Sequence, residues 1–267
     1  MLRVERHGDV TRLELSSPVG RALGYTVSVY RVGEVLIDAG FPRIGRRLAR
    51  WAVAESIAAA IVTHWHEDHS GGAPALAARG IALSLHAETE RRLRERPGLE
   101  LYRRLTWGSF VPFAGMYTAH VPNELEIVSL PGHSADHRVV WDRATGTLFA
   151  GDLFLGVKVR IAHDCEDFVT LIDSLRRAAA LDPARMFCGH RGLVPNAASA
   201  LRAKADWLEE MIAAVTRRAS EGWSDARIVR EVLGGEQLTG YVSYGRYSSA
   251  AFVRVAKRAS SSETAAK

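Results

Sequence analysis

The sequence predicts an α/β fold followed by a helical C-terminal extension. Segments of strand and helix character alternate as far as residue 190, and beyond Pro195 the chain reads as mostly helical. No Pro-, Gly- or Ser-rich linker separates independent domains. At 267 residues the chain can bury a sizeable core without disulfide support. The expected division is a layered domain over residues 1–195 and a helical extension over 196–267 packed on it.

The elements follow from local pattern. Leu2 to Arg6 and Thr11 to Leu15 alternate in character across a Gly8-Asp9 turn signal, and Tyr25 to Arg31 and Glu34 to Asp38 repeat the pattern around Gly33. Ile44 to Val53 has helical spacing, whereas Ile57 to Thr63 is a short apolar run suited to a buried strand. Ala73 to Arg79 reads as a helix that tolerates Pro74 in its first turn. A charged helix (ETERRLRER) then breaks at Pro97-Gly98 and gives way to a stretch rich in Trp107, Phe110, Phe113, Met116 and Tyr117. Strands are expected at Glu126 to Leu130, His137 to Trp141, Thr147 to Ala150 and Arg185 to Cys188. Phe168, Leu171, Ile172 and Leu175 form one helical face between the last two. Helices follow at Ala197 to Ser220, Ser224 to Leu233 and Ser248 to Arg258, the last two with Ser caps, before a tail expected to fray.

Composition excludes several classes. With 47% hydrophobic and 24% charged residues the chain is neither disordered nor a coiled coil. It holds no apolar run approaching the roughly 18 residues of a membrane span. The first residues alternate charge with apolar character and lack a leader's apolar core, and Cys165 and Cys188 are the only cysteines. A reducing, cytoplasmic setting is the expectation. The net charge of +5 is too small for a nucleic-acid footprint unless it clusters on one face.

The unusual feature is ten histidines. His64-Trp65-His66-Glu67-Asp68-His69 directly follows the predicted strand Ile57 to Thr63. In an extended or turning backbone His64 and His66 project to the same side and can approach one ion, while Asp68 and His69 reach past it to a second. Imidazole with carboxylate suits zinc, and iron or manganese accept the same set. His133 in LPGHS, Asp152 in AGD and His190 in CGH each follow a predicted strand and a glycine that lets the backbone turn tightly. Strand ends in a layered α/β fold converge on one rim, where active sites form.

These motifs, in this order and spacing, resemble the metallo-β-lactamase-fold hydrolase superfamily over about residues 25 to 195. The arrangement of helices after the last motif is similar to its glyoxalase-II-like subgroup. The resemblance implies a four-layer αβ/βα sandwich, the metallo-β-lactamase fold, with a two-metal site at one edge. It would place His64, His66 and His133 on one metal, and Asp68, His69 and His190 on the other, with Asp152 bridging. Asp38 in LIDAG matches a family aspartate that orients the metal-binding loop; a strand-end turn former is its other reading. The family's Pro-Gly-His-Gly is Cys188-Gly189-His190-Arg191 here, and Cys188 is expected as a small apolar strand residue, with a place behind the metal ligands as its other reading. His137 is expected to open a strand, with a supporting role at the site as its other reading. His7, His86, His120 and His163 are expected on the surface or in packing.

Two divalent ions sharing a water would generate a bridging hydroxide, oriented by Asp68, for attack on an ester, thioester or lactone. The Trp107 to Tyr117 stretch offers either an apolar lid for a hydrophobic substrate or a packing or dimer contact. An endoribonuclease or phosphodiesterase of the same fold is the alternative, favoured by a pI near 9.5 and Arg-rich C-terminal helices. Against it, Tyr241, Tyr244 and Tyr247 read as packing residues rather than base-stacking ones. An iron oxidoreductase or a binding module with a vestigial site is opposed by the complete ligand set.

Overall fold

The alternating pattern becomes two sheets in a computed structural model, which describes residues 1–95, 98–111, 117 and 125–265. Six strands, β1 (Leu2–His7), β2 (Val10–Leu15), β3 (Val27–Val32), β4 (Val35–Ile37), β5 (Ala59–Ile61) and β6 (Ala82–Ser84), lie in sequence order in the first sheet. The first four strands pair antiparallel, and β4, β5 and β6 are parallel. Helices α1 (Pro18–Ala22), α2 (Pro42–Ala54), α3 (Glu67–Ser70), α4 (Ala73–Ala77), α5 (Ala87–Glu95) and α6 (Leu101–Thr106) connect or follow these strands. The second sheet takes β7 (Leu125–Ser129), β8 (Arg138–Asp142) and β9 (Thr147–Phe149). After the short β10 (Ala162–His163) and helix α7 (Phe168–Ala180), it is completed by β11 (Arg185–Cys188) and β12 (Gly192–Val194). The chain ends in α8 (Ala197–Ser220), α9 (Asp225–Glu231), α10 (Leu238–Val242), the short β13 (Tyr247–Ser248) and α11 (Ser249–Ala265). Among the described residues no helix is long and apolar enough to cross a membrane.

Contacts gather into two units, Met1–Ser129 with Asp136–Asp152 and Pro183–Pro195, and Leu130–Ala135 with Leu153–Asp182 and Asn196–Lys267. In the first unit the two sheets face each other across a core of Val10, Tyr30, Ile37, Ile61, Val140, Phe149 and Phe187. The rings of Phe149 and Phe187 stack with centroids 5.5 Å apart. On the other face of the first sheet, Leu13, Leu15 and Val29 meet Leu48 and Ala52 of α2, Leu76 of α4 and Leu93 of α5. Strands β4 and β5 are therefore buried throughout, which explains their unbroken apolar composition.

In the second unit, β10 pairs with β13, and α7, α8 and α11 pack together around Phe168, Leu175, Leu201, Leu208 and Phe252. The Ser caps are where the sequence places them. Ser224 Oγ accepts from the Arg227 N–H, and Ser248 Oγ accepts from the Ala251 N–H. Helix α11 continues past Arg258 to Ala265, into the tail expected to fray. Tyr247 packs as expected, its ring 4.3 Å from that of His163. Tyr241 and Tyr244 do not: they are 70% and 87% exposed.

Part of the aromatic stretch falls within the described residues. Trp107 and Phe110 are buried in the core beneath the first sheet, and Trp107 lies 5.1 Å from Phe41, ring to ring. Tyr117 packs against the same core, while Phe113, Met116 and His120 lie outside the described residues.

Candidate metal centre

Parallel pairing brings the motifs of the first unit to one edge. Ile37 pairs with Ile61, so Asp38 and the Val62-Thr63-His64 segment leave neighbouring strands together. Phe149 pairs with Phe187, and the pairing is prolonged by Ala150 N–H to Phe187 O (2.8 Å) and Gly189 N–H to Gly151 O (2.8 Å). Asp152 and His190 therefore emerge side by side. Glycine is required at this approach. A Cβ on Gly189 would lie 2.6 Å from His69 Cε1 and 2.7 Å from Asp152 Oδ1. Gly151 adopts φ +49°, and a Cβ there would meet His137 Nε2 at 2.9 Å.

Thr63 fixes the first histidine. Its N–H and its hydroxyl both donate to Asp38 Oδ1 at 2.8 Å, so the hydroxyl oxygen accepts from His64 Nδ1 at 3.0 Å. That tautomer leaves His64 Nε2 as the acceptor nitrogen. His64 Nε2 and His66 Nδ1 stand 3.0 Å apart, close to the separation of about 3.3 Å for two nitrogens bound tetrahedrally to one zinc. Together with a carboxylate oxygen of Asp152, these two rings offer donor atoms within 4.8 Å of one another.

Asp68, His69 and His190 form a second group within the same limit. His69 Nδ1–H donates to Asp38 Oδ2 (2.7 Å), and His190 Nδ1–H donates to the Thr26 carbonyl (2.6 Å). Both rings therefore turn Nε2 toward carboxylates. His69 Nε2 is 3.3 Å from Asp152 Oδ1, and His190 Nε2 is 3.3 Å from Asp152 Oδ2 and 3.4 Å from Asp68 Oδ2. Among the described residues the buried His69 Nε2 has these carboxylate oxygens facing it and no well-aligned hydrogen bond. A buried acceptor nitrogen aimed at two carboxylates is a geometry that a cation satisfies, so the residues fit a metal.

The electrostatics point the same way. Burial alone would lower the His190 pKa, but the Asp152 carboxylate, its hydrogen bond and Asp68 push it up to about 9. Burial likewise opposes charging of His69, yet Asp152, Asp38 and Asp68 hold it well above the ordinary histidine range. Burial would raise Asp152, while His190 and His69 hold it well below the usual carboxylate range. The site has an excess of negative charge that draws cations, protons included.

The seventh expected ligand, His133, belongs to the second unit, where it is buried with its Nδ1 3.5 Å from Glu166 Oε1. Gly132 before it has φ +127° and lies against Leu171 of α7.

Of the two readings of Asp38, the orienting one describes its contacts. Its oxygens accept from Thr63 and His69, and its own φ is +69°. His137 precedes β8 and supports the site, because its Nε2 accepts the Asp152 backbone N–H at 3.1 Å. Cys188 is buried in β11 as expected, and its Sγ accepts the His190 N–H at 3.4 Å. His86 takes part in the start of α5 by accepting the Glu88 N–H.

Sequence reasoning missed Thr63, Thr26, Glu166 and the buried Glu67–Arg103 pair. Arg103 Nε donates to Glu67 Oε1 at 2.6 Å, and its Nη2 donates to Oε2. Only Thr63 and Glu67 carried a local signal, standing before and inside the HWHEDH run.

Comparison with known proteins gives a family match and several relatives. The model of the metallo-beta-lactamase superfamily matches residues 24–190. A protein named thioesterase pkgB from Emericella nidulans is 28% identical over 199 residues, covering 68% of this chain and 53% of that protein. A hydroxyacylglutathione hydrolase from Thermosynechococcus vestitus is 31% identical over 166 residues, covering 60% of each chain. The chain thus spans little more than half the length of these curated relatives. The solved metallo-beta-lactamase from Pontibacter korlensis superposes with a TM-score of 0.59 at 20% identity, over 78% of this chain and 99% of that one. This likeness bears on the fold, and it agrees with the expected αβ/βα sandwich.

Proposed function

The chain belongs to the metallo-beta-lactamase superfamily, and from that premise we propose that it is a binuclear metal-dependent hydrolase acting on an ester, thioester or lactone. The observation that carries the reading is the buried Nε2 of His69, which among the described residues faces the Asp152 and Asp68 carboxylates at 3.3 Å and 4.0 Å. His64, His66 and His133 would hold one divalent ion, and Asp68, His69 and His190 a second, with Asp152 common to both. Zinc suits this donor set first, and manganese and iron accept it. When bound, such ions supply a nucleophile at neutral pH and Lewis-acid stabilisation of developing charge.

The protein's own contribution is orientation. Asp38 and the Thr26 carbonyl fix the tautomers of His69 and His190, so each presents Nε2 without a search over ring flips. Thr63 does the same for His64. The Asp68 carboxylate, facing the two rings, accepts a hydrogen bond from the attacking group and orients it. The thioesterase and hydroxyacylglutathione hydrolase names of two relatives support an acyl substrate for this chain. No side-chain nucleophile is needed in this scheme.

The test combines elemental analysis with a panel of chromogenic esters, thioesters, lactones and short RNA after reconstitution with zinc, manganese or iron. About two metal ions per chain and acyl-bond hydrolysis are expected. His66→Ala and Asp152→Ala should each lose bound metal and lower kcat/KM at least 1,000-fold, roughly 4 kcal/mol of transition-state stabilisation. Full turnover by a metal-free variant would overturn the proposal, and cleavage of RNA alone would redirect it to phosphodiesters.

A further inference from the structure

Helix α6 is tied to the candidate metal centre on one side and lines a groove with others of its residues. Arg103 reaches Glu67, which lies in the chain between His66 and Asp68. Leu101, Arg104 and Leu105, spaced three and four residues apart, line a groove of about 390 Å³ with Pro42, Arg43 and Val111. That volume lies within the roughly 300–1,000 Å³ of small-molecule sites.

Two properties of the lining stand out. Leu101, Leu105 and Val111 are 62%, 51% and 50% exposed, so three large apolar side chains meet water together in one concavity. Arg43 and Arg104 border the same concavity, and neither meets a carboxylate among the described residues; Arg43 Nη2 donates instead to the Arg104 carbonyl at 3.1 Å. Neighbouring arginines behave differently. Arg91, Arg92, Arg94 and Arg103 are each paired with a glutamate.

We propose that this groove binds a single alkyl chain carrying a negative group, with the chain against Leu101, Leu105 and Val111 and the anion against Arg43 and Arg104. A small inorganic anion would leave the leucines wet, and a neutral hydrocarbon would leave both guanidinium groups unmatched. The groove also adjoins the metal-binding loop. Pro42 packs so closely on Gly71, directly after α3, that a Cβ there would lie 2.3 Å from Pro42 Cδ. Resting on the hydrolase reading, the proposal assigns the groove to the acyl part of a substrate whose chain carries its own free carboxylate, separate from the bond that is cleaved. A free long-chain carboxylate acting as an effector shares its chemistry.

Calorimetry on the full chain with dodecanoate below its micelle concentration tests the binding, with and without EDTA. One saturable site is expected, and hexanoate and dodecyltrimethylammonium should each bind at least tenfold more weakly. Arg43→Gln with Arg104→Gln, and separately Leu105→Asp, should each weaken dodecanoate tenfold with an unchanged far-UV spectrum. Equal binding of all three probes, or dodecanoate affinity indifferent to these substitutions, overturns the proposal. So does a Leu105→Asp change that only converts a dimer to monomer.

A second arm compares the mono-p-nitrophenyl ester of dodecanedioate, which keeps one free carboxylate, with p-nitrophenyl acetate on metal-loaded protein. If the groove takes the acyl chain, Leu105→Asp lowers the dodecanedioate-to-acetate ratio of kcat/KM at least tenfold. If it takes a free carboxylate, added dodecanoate alters both rates alike and Leu105→Asp abolishes that effect. Dodecanoate binding without hydrolysis of either ester would defeat the hydrolase reading and leave the groove standing.

Discussion

Asp38 sets two neighbours with one carboxylate. Oδ1 accepts twice from Thr63, which in turn fixes His64, and Oδ2 accepts from His69 Nδ1. Asp38→Asn retains the size but offers one acceptor oxygen where two are used, so one of the two rings loses its orientation. Metal affinity should fall about 10- to 100-fold in a chelator competition, the usual effect of removing a ligand's outer partner. An unchanged affinity would mean that packing alone orients the rings. The ligand-type residues themselves were legible in the sequence because their pattern is local: four in six positions at a strand end, then three single residues each after a glycine. Their partners were not legible. His69 meets Asp38 and His190 meets Thr26 only after the strands have paired, and a backbone carbonyl such as that of Thr26 carries no signature of its own.

Among the elements, the connection between α3 and α6 has the largest consequence. Glu67 is 1% exposed at its side chain and Arg103 12%, so the pair joins the metal-binding loop to the following segment through charge held away from water. The Arg103 guanidinium also lies 5.7 Å over the Trp65 ring, and that of Arg92 lies 4.2 Å over it. Arg103→Met leaves Glu67 buried and unpaired and should cost about 3–5 kcal/mol in chemical denaturation. The double variant Glu67→Leu/Arg103→Met removes both charges and should recover most of that loss, because an apolar pair of similar volume replaces a buried ion pair at little cost. A double variant as unstable as the single one would show that the residual defect is packing, not charge. The sequence marked the strands and long helices here but neither of these short helices. Leu101–Thr106 follows the Pro97-Gly98 break, and its tie to Glu67 through Arg103 forms only in the folded chain. The predicted strand Ile57 to Thr63 is likewise trimmed to Ala59–Ile61: the Val62 N–H still bonds to Ser84 of β6, but the Thr63 N–H turns to the Asp38 carboxylate.

At the scale of the whole molecule, the site couples folding to pH, and the sign differs with metal content. His190 has a folded pKa of about 9, above the ordinary histidine value of roughly 6.5, and His69 is raised in the same direction. A raised pKa contributes stability that is fully present below about pH 6.5 and is lost as pH rises toward 9. Asp152 is depressed, so its contribution is present above the usual carboxylate pKa and is lost as pH falls through its lower folded value. Metal-free protein should therefore lose stability from this site between pH 6.5 and 9. Bound metal requires the same imidazoles deprotonated, so metal binding releases protons and strengthens with pH across that window. At fixed free zinc the stabilisation grows as RT ln(1 + [Zn]/Kd), about 1.4 kcal/mol for each tenfold gain in affinity once zinc is in excess. The difference in Tm between zinc-loaded and EDTA-treated protein should consequently widen steadily from pH 6.5 to 9. Thermal scans at fixed free zinc measure it. A difference that stays constant or narrows would show that protons and metal do not compete for His69 and His190, and would remove the electrostatic basis for a metal at that position.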